Sequence, residues 1–236
     1  MSRTRNPSRI QDLVNAASTV FLAKGYRQAQ VADVARAIGV APGTVYLYVD
    51  SKAALFDLVV RCAMNPGFVE GALELPVRCP DESTTLEFVR QTLETETRLP
   101  ELEAALRGNA SRDGAEELES VVRELFRQTA KNWLALKLLE RSAVDWPELA
   151  ELWFHQHRPR IFGLLARYLE SRMTQGFLRR APDAPAAARL VIETVATFAM
   201  HCRADAYSPP MDLRLAEAVV VDAIVNAYRP SIQNKS

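Results

Sequence analysis

Thr44, Tyr46 and Tyr48 set three hydroxyls along one short stretch, and Lys52 follows shortly after. Hydroxyl and ammonium groups are the donors that meet phosphate oxygens and base edges of a duplex. Arg3, Arg5 and Arg9 precede them as a basic arm able to reach phosphates or a minor groove. Tyr46 and Tyr48 also have a second reading, as amphipathic rings packed inward against the next helix. Leu47, between them, faces outward by helical phase. Other residues that could do chemistry form no set. His155 and His157 are two apart, a spacing that does not share a helix face, and His201 is distant. No metal site is expected. Nucleophile elbows, phosphate loops and paired CxxC motifs do not occur, so no catalytic residues, no enzymatic activity and no cofactor are expected. Phe126, Trp133 and Trp153 are weak candidates for lining an apolar ligand pocket. At helical spacing such residues more often form ordinary core.

The elements that must position these groups are helices. Ile10, Leu13, Val14, Ala17, Val20 and Phe21 recur at three- and four-residue steps, which predicts a helix over 9–24 closed by Gly25. Val31, Val34, Ala35 and Ile38 predict a short second helix over 31–38, ended by Gly39. Pro42 suits the first turn of a third helix running to about Tyr48. Asp50 and Ser51 are placed to cap a fourth helix from Lys52, broken at Asn65-Pro66-Gly67. Ala29-Gln30 and Ala41 precede the second and third helices, so both starts lack a preferred side-chain cap, worth ~1 kcal/mol. Beyond this the pattern is helical throughout, near 83–98, 101–107, 115–141, 147–174, 185–203 and 212–228, with a break expected at Pro159. No stretch alternates with the period of a strand. The fold class is all-α.

Two short helices joined by a tight glycine turn, over about 30–49, cannot bury a core alone. The first and fourth helices must complete it. In such a unit the later helix lies in the major groove, where base edges are distinguishable. The net charge of zero argues against indiscriminate nucleic-acid binding, but its distribution is uneven. Residues 1–61 hold eight basic residues against four acids, leaving the rest of the chain acidic. Three widely spaced cysteines make no disulfide framework, and the polar, basic start has no signal-peptide core, so a cytoplasmic location is expected. No run is apolar enough to span a membrane, and no membrane partner is expected.

Gly25-Tyr26, Val31 to Ala35, Ile38-Gly39-Val40, Gly43-Thr44-Val45-Tyr46-Leu47-Tyr48-Val49, Ser51-Lys52 and Leu55-Phe56 occur in order. This pattern resembles the N-terminal domain of the tetracycline-repressor (TetR) family over about residues 8–60. Gly176-Phe177-Leu178-Arg179, with Pro182-Asp183-Ala184-Pro185 after it, is similar to a looser pattern of that family's C-terminal part. The resemblance implies an N-terminal three-helix helix-turn-helix domain, residues 1–60, and a larger helical ligand-binding and dimerisation domain, residues 61–236. It implies a homodimer that binds a near-palindromic operator in double-stranded DNA, with the last two helices commonly forming the dimer interface. It further implies a transcriptional regulator of the repressor kind, released by a small-molecule inducer. Carried over by position, Pro42, Gly43, Thr44, Tyr46, Leu47 and Tyr48 touch DNA and Lys52 meets a phosphate. The chain departs from the family at Ala29-Gln30, at Ala41 and at Val49, where Phe is usual. Val31 and Ala32 leave the second helix poor in polar contacts. The alternative is a helical ligand-binding or scaffold protein with impaired DNA binding.

Overall fold

The three- and four-residue apolar steps put one face of α1 (Pro7–Gln28) into a core, with Leu13, Ala17 and Phe21 fully enclosed. The computed structural model describes residues 7–65, 67–70, 73–108, 113–205, 207 and 209–230. Gly25 (φ 76, ψ 172) breaks α1 near its end, a conformation open to glycine and strained for other residues. α2 (Val31–Ala37) follows, then Gly39 at φ 68 turns the chain into α3 (Pro42–Val45). α3 is shorter than the periodicity predicts: residues 46–48 continue as turns, and Val49 pairs in parallel with Val77. The Tyr48 carbonyl accepts from the Val77 N–H at 2.8 Å, and the Val77 carbonyl from the Asp50 N–H at 3.1 Å. These bonds draw the backbone out of the helix. α4 (Lys52–Met64) is capped by Ser51, whose hydroxyl accepts from the Ala54 N–H at 3.0 Å.

The start of α2 is better held than its lack of a preferred cap suggests. Asp33 reaches back to the Gln30 N–H at 3.1 Å, the reverse half of a capping box, and pairs with Lys24 at 2.8 Å and Arg36 at 3.2 Å. The start of α3 keeps its uncapped Ala41, with Pro42 in the first turn.

α5 (Glu82–Glu96), α8 (Trp133–Ala143) and α9 (Pro147–Ala150) complete the helices associated with the first of two compact units, residues 1–96 and 134–155. Its core is aromatic. Phe21 and Phe56 meet edge-on at 5.0 Å, and Tyr26 stacks on Trp146 at 4.7 Å. Asp57 of α4, buried, accepts from the Thr85 hydroxyl of α5 at 3.1 Å and pairs with Arg61 at 2.6 Å.

The second unit comprises residues 97–133 and 156–236. It holds α6 (Pro100–Arg107), α7 (Gly114–Lys131), α10 (Arg158–Thr174), α11 (Ala184–Ala196), α12 (Cys202–Ala204) and α13 (Leu213–Tyr228). Asp113, Asp183 and Asp212 cap α7, α11 and α13. Leu102, Leu118, Val121, Val122, Leu165 and Val191 form the middle of its core.

Three long predicted helices are interrupted. The 115–141 pattern breaks at Asn132 (φ −99, ψ 12), whose amide donates to the Gln128 carbonyl at 3.1 Å. The 147–174 pattern passes through a π-helical stretch at Glu151–His157, and Pro159 then sits in the first turn of α10, where its missing N–H costs nothing. The 185–203 pattern widens into a second π-helical stretch, Thr197–His201. No strand occurs among the described residues, and none of their helices is long and apolar enough to cross a membrane.

Candidate nucleic-acid interface

α2, the Gly39 turn and α3 form a helix-turn-helix held from behind by the first unit's core. Val34, Ala35, Val45 and Val49 are buried, and the Val40 N–H donates to the Ala35 carbonyl at 2.9 Å to close the turn. With the apolar side committed inward, Pro42, Gly43, Tyr46 and Leu47 stand out to solvent. Tyr46 is 48% exposed and Leu47 52% exposed, side by side on the same turn. A side chain added at Gly43 would meet nothing within 4 Å, so this corner is open to close approach.

Thr44 and Tyr48 are half-buried. They line a cleft of about 220 Å³ with Arg9, Asp12, Leu13, Ile38, Val40 and Val45. The two tyrosines therefore separate: Tyr46 presents its ring and hydroxyl outward, while Tyr48 combines a packed ring with a place on the cleft wall. Tyr46 and Leu47 supply one hydroxyl and one branched apolar group, suited to a phosphate or base edge and to a thymine methyl.

Arg3 and Arg5 lie outside the described residues. Arg9 is exposed on the first described turns of α1 and borders the cleft. Lys52 is half-buried. Its Nζ donates to three main-chain carbonyls, of Tyr26 at 3.1 Å, Arg27 at 3.2 Å and Ala29 at 3.3 Å, and lies 4.6 Å from the centre of the Tyr26 ring. Burial, then the neighbouring Arg27 charge, hold its pKa below the ordinary lysine value.

Sequence reasoning missed Asp33, which fixes the start of α2 and gathers Lys24 and Arg36 around itself. Its signal was an acid three residues after the N-cap position. Of the three aromatic residues read as pocket candidates, two are buried. Phe126 is fully buried in the second unit's core, and Trp153 is buried in the first unit's. Trp133 is half-buried with the Arg203 guanidinium 4.7 Å from its ring centre. No cluster of metal-ligating side chains occurs among the described residues.

The profile of the bacterial regulatory proteins, tetR family, matches residues 13–59, the span that carries α2, α3 and Lys52. Among solved structures, the chain is similar to the ketosteroid transcriptional regulator KstR2 of Mycobacterium tuberculosis. They are 13% identical over 96% of this chain and 98% of that one, with a TM-score of 0.56. A bacterial regulatory protein in the tetR family from Rhodococcus RHA1 is 16% identical over 97% of this chain and 100% of its own, TM-score 0.54. AibR, solved in complex with isovaleryl coenzyme A and operator DNA, is 13% identical over 95% and 100%, TM-score 0.52. At these identities the likeness is one of fold, all-α with an N-terminal helix-turn-helix. No curated protein matches the sequence.

Proposed function

We propose that this chain, whose residues 13–59 match the bacterial regulatory proteins of the tetR family, represses transcription from an operator and is released by a small-molecule effector. The observation that carries the reading is the outward ridge of Pro42, Gly43, Tyr46 and Leu47 on a helix-turn-helix whose other side buries Val34, Ala35, Val45 and Val49. Those four residues, with Thr44 and Tyr48 along the cleft, enter the major groove. Arg3 and Arg5 extend the contact onto phosphates or a minor groove. Residues 1–60 act as the reading head, and residues 61–236 carry the effector site and the dimer interface.

Two further observations support this assignment. On α13, Leu215 and Val219 are 60% and 51% exposed one turn apart, and on α11 Leu190 is 61% exposed. An apolar stripe of this kind suits a second copy of the chain, giving two reading heads for a near-palindromic site. AibR, a neighbour in fold, holds both isovaleryl coenzyme A and operator DNA, which supports placing effector and operator on one chain here. Effector binding then changes the separation of the two heads. Half-sites a helical turn apart tolerate little error, so a small shift lowers affinity.

Selection of bound sequences from a random duplex pool tests the proposal, with the winner's affinity followed against salt. A palindrome whose log affinity falls steeply with log salt is the expected result, because neutralised phosphates release counterions. No enrichment by a folded, pure protein would overturn it and favour a helical ligand-binding or scaffold role.

A further inference from the structure

We propose that Lys52 serves DNA binding as a positioning residue: it fixes the corner between α1 and α2 and leaves the phosphates to other groups. The inference rests on the DNA-binding reading above. A lysine ammonium has three N–H donors and no acceptor. All three have carbonyl acceptors here, on Tyr26, Arg27 and Ala29, at 3.1, 3.2 and 3.3 Å. A phosphate contact would require giving up at least one of these bonds and exposing a carbonyl that has lost its partner.

The corner is built to converge on that ammonium. Gly25, at φ 76, ends the long straight part of α1 and lets the following carbonyls turn toward one point. The Tyr26 ring covers the ammonium at 4.6 Å, a cation–π contact that adds to the seat. That ring is itself held, with its hydroxyl donating to Glu82 at 3.0 Å and its face stacked on Trp146 at 4.7 Å. Arg27 shares the same Glu82 oxygen at 2.9 Å. Lys52 also begins α4, so a single side chain ties the first turn of α4 to the residues that lead into α2. Two residues past the last of the three carbonyls, α2 begins; its direction sets where Gly39 sends α3. A loosened corner misplaces the groove-facing ridge, and small misplacements are costly where several contacts must form together.

The test compares Lys52→Met and Lys52→Arg with the unaltered protein on the selected duplex, across a range of salt. Lys52→Met keeps the length of the side chain and removes its donors. Its affinity should fall roughly ten- to hundredfold, the loss expected when charged hydrogen bonds are removed. The log–log salt line should move down parallel to the original. Lys52→Arg should not restore affinity, because a planar guanidinium does not match three carbonyls converging on one nitrogen. Amide exchange in residues 26–33 should quicken in both variants.

A salt slope lower by about one in Lys52→Met, with recovery in Lys52→Arg, would assign the side chain to a phosphate and overturn the proposal. Unchanged affinity for Lys52→Met would overturn it as well. Should Lys52→Met fail to fold, the lysine ammonium of the unaltered chain decides by nuclear magnetic resonance. Slowly exchanging Nζ protons that keep their shifts when duplex is added support the carbonyl seat in the bound state, and shifts that move on binding refute it. Absence of any salt-dependent binding by the unaltered protein is a different failure, that of the DNA-binding reading itself.

Discussion

Arg172 is the most tightly committed charge among the described residues of the second unit. It is 2% exposed, pairs with Glu117 at 2.6 Å, and donates to the carbonyls of Ala105 and Gly108. Those carbonyls close α6, so the guanidinium holds the end of α6 against α10 as well as neutralising Glu117. Replacing it with methionine takes this donor from the Glu117 carboxylate and from both carbonyls. The expected loss is about 3–5 kcal/mol of unfolding free energy in urea, the range for breaking one side of a buried pair. A loss below about 1 kcal/mol would mean that water or another donor takes its place. Tyr46 and Leu47 sit at the opposite extreme. Both are about half exposed, so alanine at either position should change stability by no more than about 0.5 kcal/mol. Operator affinity should nevertheless drop by roughly tenfold or more, on the order of 1.4 kcal/mol. Titration of the selected duplex with each variant reads this, and undiminished binding by both would remove the ridge from the interface.

Among elements, α2 depends on one acidic side chain. Asp33 caps the Gln30 N–H and accepts from Lys24 and Arg36, and the Lys24 hydrogen bond, followed by the Gln30 N–H, holds its carboxyl below the ordinary aspartate value. A carboxyl with a lowered folded pKa contributes stability above its unfolded pKa of about 3.9 and loses that contribution as pH falls through the lowered value. Asp33→Ala should therefore be less stable than the unaltered chain at pH 7. The gap should narrow as pH falls from about 4 and close below the lowered folded value, where the carboxyl is protonated in both states. Thermal unfolding at a series of pH values measures this. A gap that stays constant down to the acid limit would show that Asp33 acts through packing and not through its charge. The π-helical stretches, Glu151–His157 and Thr197–His201, are the other departures at this scale. Each accommodates residues that a regular helix would set at another angle, and the first ends where Pro159 begins a new helix.

At the scale of the molecule, the exposed apolar residues of α11 and α13 matter most. Leu190, Leu215 and Val219 face solvent in the single chain. A dimer that covers them should separate into monomers when Leu215 and Val219 are both changed to glutamate, read by sedimentation velocity. Because neither residue is in the reading head, operator affinity should fall only through the lost second half-site. Retention of the dimer by this variant would place the interface elsewhere. The variant's helices should stay intact, since both positions lie on the outer side of α13.

Much of this was fixed by the order of residues alone. The 3.6-residue periodicity set the all-α class, glycines at 25 and 39 marked the turns, and the spacing from Val31 to Lys52 located the helix-turn-helix, because each follows from local backbone chemistry. Tertiary structure decided what these local rules leave open. Periodicity says which face of a helix is buried but not what covers it. The placing of Trp146, far along the chain, on Tyr26 beside the reading head could not be read from spacing. For the same reason Phe126 and Trp153, alike in sequence, went to different cores. Sequence marked Lys52 as a cation at a helix start, able to meet a phosphate. Only the folded corner, with three carbonyls turned toward one nitrogen, revealed that its donors were already used. A side chain's partners are set by convergence of distant backbone in space, and residue order carries that only through the fold.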